Sequence, residues 1–257
     1  MKVSINNKII NKKTKNILFN ILGLLFVFIL WYILSIVYNN SLVIPRIKEV
    51  FKSLYQLLIS VRFYSLFFTM IFRIILTLLC SLVLSIILAV LSFISESIHN
   101  FLNPVIVIMK TIPIIAIIIL LLMSIGMKVA PYIATAFVIV PLIYEMVYAS
   151  LKNIDSTITE DIKTITGINL TVILKFYLPL VFPSIVTSLI QSFGLGLKVM
   201  LMAEFISPMR DTFGAEINRY YNLNMMSEVF AIVIIVIVVV FLTDKLMKLA
   251  REKVYYN

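Results

Sequence analysis

Read from its N-terminus, the chain alternates long apolar runs with short polar connections. The runs have the length that a bilayer demands rather than the narrow stripe of a soluble helix. A hydrocarbon core of about 30 Å takes roughly 20 helical residues to cross. Six such runs can be placed, at approximately 17–38, 64–93, 101–125, 129–150, 170–204 and 227–247. The pattern predicts an all-α integral membrane protein of about six transmembrane helices, forming one membrane domain over 17–247. A basic N-terminal segment (1–16) precedes this domain and a tail (248–257) follows it. No compositional break, low-complexity tract or short-period repeat divides the domain. Five lysines precede the first run, as in a signal peptide. That run is too long for one and no small-residue cleavage site follows it, so it is expected to stay as a membrane helix.

The connections carry their own patterns. Residues 39–63 contain Pro45 and an amphipathic series, Val50, Leu54, Leu57 and Leu58, which predicts a short helix at the membrane surface. Residues 205–226 form a second sizeable loop on that side. The connection between the fourth and fifth runs is different. Thr157 followed by Glu160 makes a capping box, in which each side chain takes the other residue's backbone N–H. Ile154, Ile158, Ile162 and Ile165 then recur at helical spacing, and Gly167 suits the left-handed position that ends a helix. A helix of about three turns over 157–167 is expected. As a surface connector it would pack on its own domain; as a lever it would pack on a partner.

Composition agrees with the bilayer reading: 62% of residues are apolar and 13% charged, against about 25% charged in soluble domains. One cysteine (Cys80) and one histidine (His99) allow neither a disulfide framework nor a Cys/His metal site in one copy, so both are expected to be ordinary packing or loop residues. The net charge of +10 comes from cations beside the apolar runs rather than interleaved with exposed aromatics, which points to membrane lipids and not to nucleic acid. With the N-terminus inside, twelve Lys and Arg flank the inner ends of the spans and seven the outer ends. The positive-inside bias therefore puts both termini and the 157–167 segment in the cytoplasm.

Ionisable residues within spans cost about 2.5–3.5 kcal/mol each on insertion scales and usually face a pathway or a partner. Arg73, Lys110, Glu145, Lys198 and Glu204 qualify. Lys198 and Glu204 sit near a helix end, where snorkelling to the interface competes with a transport role. Lys110 precedes Thr111-Ile112-Pro113, where Pro113 frees a backbone carbonyl and bends the helix, as a pathway requires. Arg73 and Glu145 suit a structural pair across helices, and the basic residues Lys110 and Arg73 together suit an anionic solute. No Gly-x-x-x-x-Gly-Lys phosphate loop occurs, because Gly194 to Lys198 has the wrong spacing. No Ser-His pair, Asp pair or metal cluster lies within the spans. The chain is not expected to be an enzyme or to hold a cofactor of its own.

The polar connection resembles the cytoplasmic Glu-Ala-Ala loop of binding-protein-dependent ABC transporter permeases. Aligned on Leu178-Pro179, Glu160, Asp161 and Ile162 fall on the Glu-Ala-Ala positions and Thr166 on the family's glycine, with Gly167 one residue late. Both alanines are thus replaced and the glycine displaced. Other stretches are similar to the nitrate, sulfonate, taurine and thiamine-precursor branch of that family: "LVIPRIKEV" (42–50), "MKTIPIIAIIILLLMSIGM" (109–127), "GLGLKVMLMAEF" (194–205) and "FGAEINRYYNLNMMSEVFAIVIIVIVVVFLTDKL" (213–246). This resemblance implies a type I ABC importer permease core in the plasma membrane, working as a homodimer. A binding protein or lipoprotein would deliver a small solute, anionic or like a vitamin precursor. ATP would bind to separate ATPase subunits docked on Thr157, Glu160, Asp161, Ile162, Thr166 and Gly167, with Leu178-Pro179 opening the next span. Two alternatives stand beside it: the transmembrane subunit of an energy-coupling-factor vitamin importer, whose paired Ala-Arg-Gly motifs are missing here, and a non-transport membrane scaffold.

Overall fold

A computed structural model describes residues 2–155 and 170–255. The expected helix over 157–167, with Thr157, Glu160, Asp161, Ile162, Thr166 and Gly167, lies outside the described residues. The described residues are helical throughout, joined by short turns. They form α1 (Lys2–Tyr38), α2 (Ile47–Ile59), α3 (Val61–Ile94), α4 (Glu96–Thr111), α5 (Ile114–Ile125), α6 (Ala130–Lys152), α7 (Leu178–Ile206), α8 (Phe213–Asn222) and α9 (Met226–Tyr255). Among them, five stretches are long and apolar enough to cross a membrane: Leu18–Tyr38, Val61–Ile94, Ala130–Lys152, Ile173–Ile206 and Met226–Leu246.

The expected third span, 101–125, is the main departure. It is two helices, α4 and α5, meeting at 98°, and makes a sixth crossing only if the bent pair counts as one. Its residue before the proline, Ile112, is extended (φ −68°, ψ 132°), because the ring of Pro113 crowds the α conformation of its predecessor. Pro113 then starts α5, its carbonyl accepting from Ala116 N at 3.0 Å. Two smaller corrections follow from the same helical continuity. The sole histidine, His99, lies in α4 rather than in a loop and stacks on Tyr148 with ring centroids 4.2 Å apart. The expected loop 205–226 contains α8, capped by Thr212, whose Oγ1 accepts from Ala215 N at 3.3 Å.

Two compact units divide the chain, Met1–Ile59 with Tyr220–Val233 and Ser60–Arg219 with Ile234–Asn257. In the first, the tryptophan of α1 holds the corner into α2, Trp31 Nε1 donating to Pro45 O at 3.1 Å, while its ring lies 5.8 Å from that of Phe230. The amphipathic helix expected from 39–63 is α2, with Val50 and Leu57 buried.

In the second unit α6 is the central helix, packed on α3 and α7, with α4 and α5 also against it. Lipid tails are as apolar as leucine, so close backbone approach and interhelical hydrogen bonds must supply the packing energy. Small residues accordingly line the joints. Ala134 of α6 and Ala203 of α7 are fully buried beside Ile118 of α5 and Val199 of α7, and Ser85 Oγ of α3 reaches Val140 O of α6 at 3.0 Å.

Leu178-Pro179 opens α7 directly after a π-helical stretch, Ile173–Tyr177. Proline has no N–H and its ring crowds the preceding turn, and widening that turn relieves the clash. The bond Leu178 N to Ile173 O is the five-residue closure that results.

The turn from α5 to α6 depends on Gly126, whose backbone (φ 80°, ψ 172°) lies in a region that only glycine occupies easily. Open space surrounds the position of a Cβ there and at Gly23 of α1. Gly126→Ala should therefore cost about 1–3 kcal/mol from backbone strain alone. Gly23→Ala, inside a helix, should be neutral or slightly stabilising; thermal unfolding in detergent distinguishes the two.

Candidate functional site

The bend between α4 and α5 opens a cavity of about 420 Å³ in the second unit. Met109, Lys110, Ile112 and Ile114 form one wall, and Leu195 and Val199 of α7 another. The third wall is the face of α6 that carries Val138, Pro141, Leu142 and Glu145, residues three and four apart that align on one side of a helix. Pro141 has no N–H to offer its own helix, so the carbonyl of Phe137, one turn earlier, loses its usual partner. Non-helical backbone and freed carbonyls are tolerated at membrane depth where protein or a water-filled cavity covers them.

One ion pair lies in this otherwise apolar space. Lys110 Nζ donates to both oxygens of Glu145, at 2.8 and 2.7 Å. The two side chains are 48% and 45% exposed, so the pair is open to whatever enters. Lys110 also sits in the last turn of α4, where a cation complements the helix's negative end.

A second charged cluster is closed. Arg73 of α3 and Glu204 of α7 are 5% and 1% exposed, and Arg73 Nη1 donates to Glu204 Oε1 at 2.5 Å. Arg73 Nε donates to Tyr132 OH at 2.8 Å, and the guanidinium lies 4.7 Å from that ring's centre. The other carboxylate oxygen accepts from Gly214 N, in the first turn of α8, at 3.0 Å. Both oxygens are thus satisfied, as a buried carboxylate requires. Gly214 has no room for a side chain: a Cβ would lie 2.4 Å from Glu204 Cβ and 2.6 Å from Leu201 O. A further pair, Arg62 Nη2 to Glu216 Oε2 at 3.3 Å, ties α8 to α3.

The expected charges are therefore sorted differently by the fold. Arg73 pairs with Glu204 and Glu145 with Lys110, so the anticipated Arg73–Glu145 pair does not form. The basic couple of Lys110 and Arg73 is dissolved, because each cation has its own carboxylate. Glu204 does not snorkel; it is buried. Lys198, six residues earlier on α7, is exposed and makes no ion pair among the described residues. Pro113 sits at the bend, as expected. Leu178 is half-buried and Pro179 exposed at the start of α7.

Sequence reasoning missed Pro141, Leu142, Leu195 and Val199 as cavity walls and Tyr132 and Gly214 as partners of the buried pair. Pro141 carried a legible signal, a proline inside an apolar run; the leucines and valines carried none.

Residues 81–254 match the family described as the binding-protein-dependent transport system inner membrane component. The chain belongs to that family. The matched region contains the whole cavity, the Lys110–Glu145 pair, Glu204 and Gly214, while Arg73 lies before it. No curated protein matches the chain. As an ABC transporter permease, it is a multi-pass inner-membrane transport component and not a catalytic subunit. This membership speaks against the scaffold reading. Permeases of this family work with ABC ATPases and binding proteins in general.

Removing one partner of a buried pair leaves an uncompensated charge, typically at a cost of about 3–5 kcal/mol. Arg73→Met in this permease should lose about that much stability, and adding Glu204→Gln should recover part of it, because the amide still accepts from Gly214 without a stranded charge. Unfolding of the two single variants and the double variant in detergent measures the coupling. Additive losses would show that the pair contributes nothing.

Proposed function

We propose that this permease forms the translocation pathway of an ATP-driven importer and that the cavity at the α4–α5 bend is part of that pathway. The observation that carries the proposal is the half-exposed Lys110–Glu145 pair in a cavity walled by four helices of the family-matched region. Intramembrane charges are costly, and a pair held open to a cavity is the arrangement expected where a solute must exchange its hydration for protein contacts.

The same geometry bears on the solute. Neither Lys110 nor Arg73 is a free cation, and the cavity walls are apolar apart from one donor and one acceptor group. This favours a small, net-neutral, mainly apolar molecule with polar substituents, of the vitamin-precursor kind, over an inorganic anion. Lys198, exposed on α7 near Leu195 and Val199, is the remaining cation that an anionic solute would need.

In this reading an extracytoplasmic binding protein or lipoprotein delivers the solute to two copies of the chain, and both termini lie in the cytoplasm. ATPase subunits dock on the segment holding Thr157, Glu160, Asp161, Ile162, Thr166 and Gly167. The capping box and isoleucine stripe of that segment support a rigid helix with an apolar face for a partner. Its link to Leu178-Pro179 and α7 would carry the ATPase's movement to the cavity wall.

Two measurements check this. Lys110→Ala and Glu145→Gln should each reduce solute uptake in vesicles reconstituted with the ATPase and binding protein, by roughly tenfold or more if a desolvated contact in the pathway is lost. Uptake equal to wild type in Lys110→Ala would remove the cavity from the pathway. Glu160→Lys should uncouple or release the ATPase, read as ATPase activity co-purifying with the tagged permease. Full co-purifying and coupled activity would make the segment a mere connector.

A further inference from the structure

A second cavity, of about 360 Å³, lies in the first unit at the corner between α1 and α2, and neither the transport pathway nor the ATPase segment accounts for it. Tyr32, Ser35, Ile36 and Asn39 line it from α1 and its end, and Arg46, Ile47 and Lys48 from the start of α2. We infer that this corner binds the phosphate headgroup of an anionic phospholipid.

Three observations lead there. The first is charge. Neither Arg46 nor Lys48 is ion-paired among the described residues, so two cations line the cavity. The carboxylate of α2, Glu49, is engaged elsewhere: its oxygens accept from Ser41 Oγ and from Arg46 N, both at 3.1 Å. It closes the first turn of α2 and does not line the cavity. The Arg46 guanidinium is held in place by Asn39 Oδ1 at 3.1 Å, and Asn39 reaches it from a left-handed backbone (φ 41°).

The second observation is depth. The apolar stretch Leu18–Tyr38 has the length of a hydrocarbon core. Tyr32 to Tyr38 covers its last 9 Å or so. The cavity therefore sits where hydrocarbon gives way to headgroups, with Trp31 and Tyr32 at the level that interfacial aromatics favour.

The third is the surface around it. Phe51, Tyr55 and Leu58 form an exposed apolar stripe on α2, and almost all side chains of Leu18–Tyr38 are exposed and apolar. Cations beside such surfaces match both halves of a phospholipid: the phosphate on Arg46 and Lys48, the acyl chains along α1 and the stripe of α2. A soluble anion would use only the first half.

The test uses the full chain in nanodiscs of phosphatidylcholine doped with phosphatidylglycerol, with retained lipid counted by native mass spectrometry after mild delipidation. Wild type should retain phosphatidylglycerol over phosphatidylcholine. Arg46→Gln with Lys48→Gln should reduce that retention by roughly tenfold or more, as expected for two cations near a headgroup. Lys52→Gln removes a charge from the same helix but not from the cavity, and should retain the lipid. Helix content and thermal midpoint are followed in all three, so that a folding defect is not read as lost binding. Wild-type retention in the double variant, or equal loss in Lys52→Gln, would overturn the inference. So would saturation of the site by soluble glycerol phosphate at the same concentration, or dependence of binding-protein attachment on Arg46 and Lys48 without any lipid preference.

Discussion

A backbone amide or carbonyl without a partner in hydrocarbon costs several kcal/mol, so a membrane chain must keep its helices whole or cover each break. The arrangement of this permease follows from where its prolines force that choice. Pro179 is accommodated by a widened π turn at the start of α7. Pro113 instead ends one helix and begins another at 98°, and Pro141 removes an N–H from the helix opposite. Pro141 and the residues on either side of Pro113, Ile112 and Ile114, line one space, and that space is the candidate site.

The two ion pairs of the bundle show the same solvent acting on side chains. Arg73 and Glu204 are sealed from both water and lipid, with every carboxylate oxygen taken, so their role is to join α3, α7 and the first turn of α8. Gly214 permits the join by letting backbone approach carboxylate. Lys110 and Glu145 have the same charges and a similar separation in space, but half their surface is open. A sealed pair stabilises one arrangement; an open one exchanges partners with a solute at smaller cost. Burial, more than residue type, separates the structural pair from the candidate functional one.

Transport by such a chain requires movement between two arrangements, and the packing suggests where it is carried. The joints of α6 with α3 and α7 include alanine, serine and glycine among larger side chains, and Gly196 lies so close to α6 that a Cβ would fall 2.5 Å from Ile139 Cδ1. The α4–α5 bend and the π turn before α7 are where the regular helical ladder is already interrupted, so rotation there breaks the fewest bonds.

The sequence by itself determined the solvent, the approximate spans, the surface helix after Pro45 and the membrane class, because each depends on run length, composition or local spacing. It also marked all four members of the two interhelical ion pairs of the bundle, Arg73, Lys110, Glu145 and Glu204, and the proline at the bend. It did not determine partners. Arg73 and Glu204 are 131 residues apart and Lys110 and Glu145 are 35 apart, and nothing in local spacing says which cation meets which carboxylate. The hinge in the third run was legible at Pro113, but its angle was not, since the same proline allows a mild kink or a corner according to what packs against it. The cavity walls were silent for a related reason: Leu142, Leu195 and Val199 are the same residue types that face lipid elsewhere. Only the packing of α4, α5, α6 and α7 decided that these face a space between them.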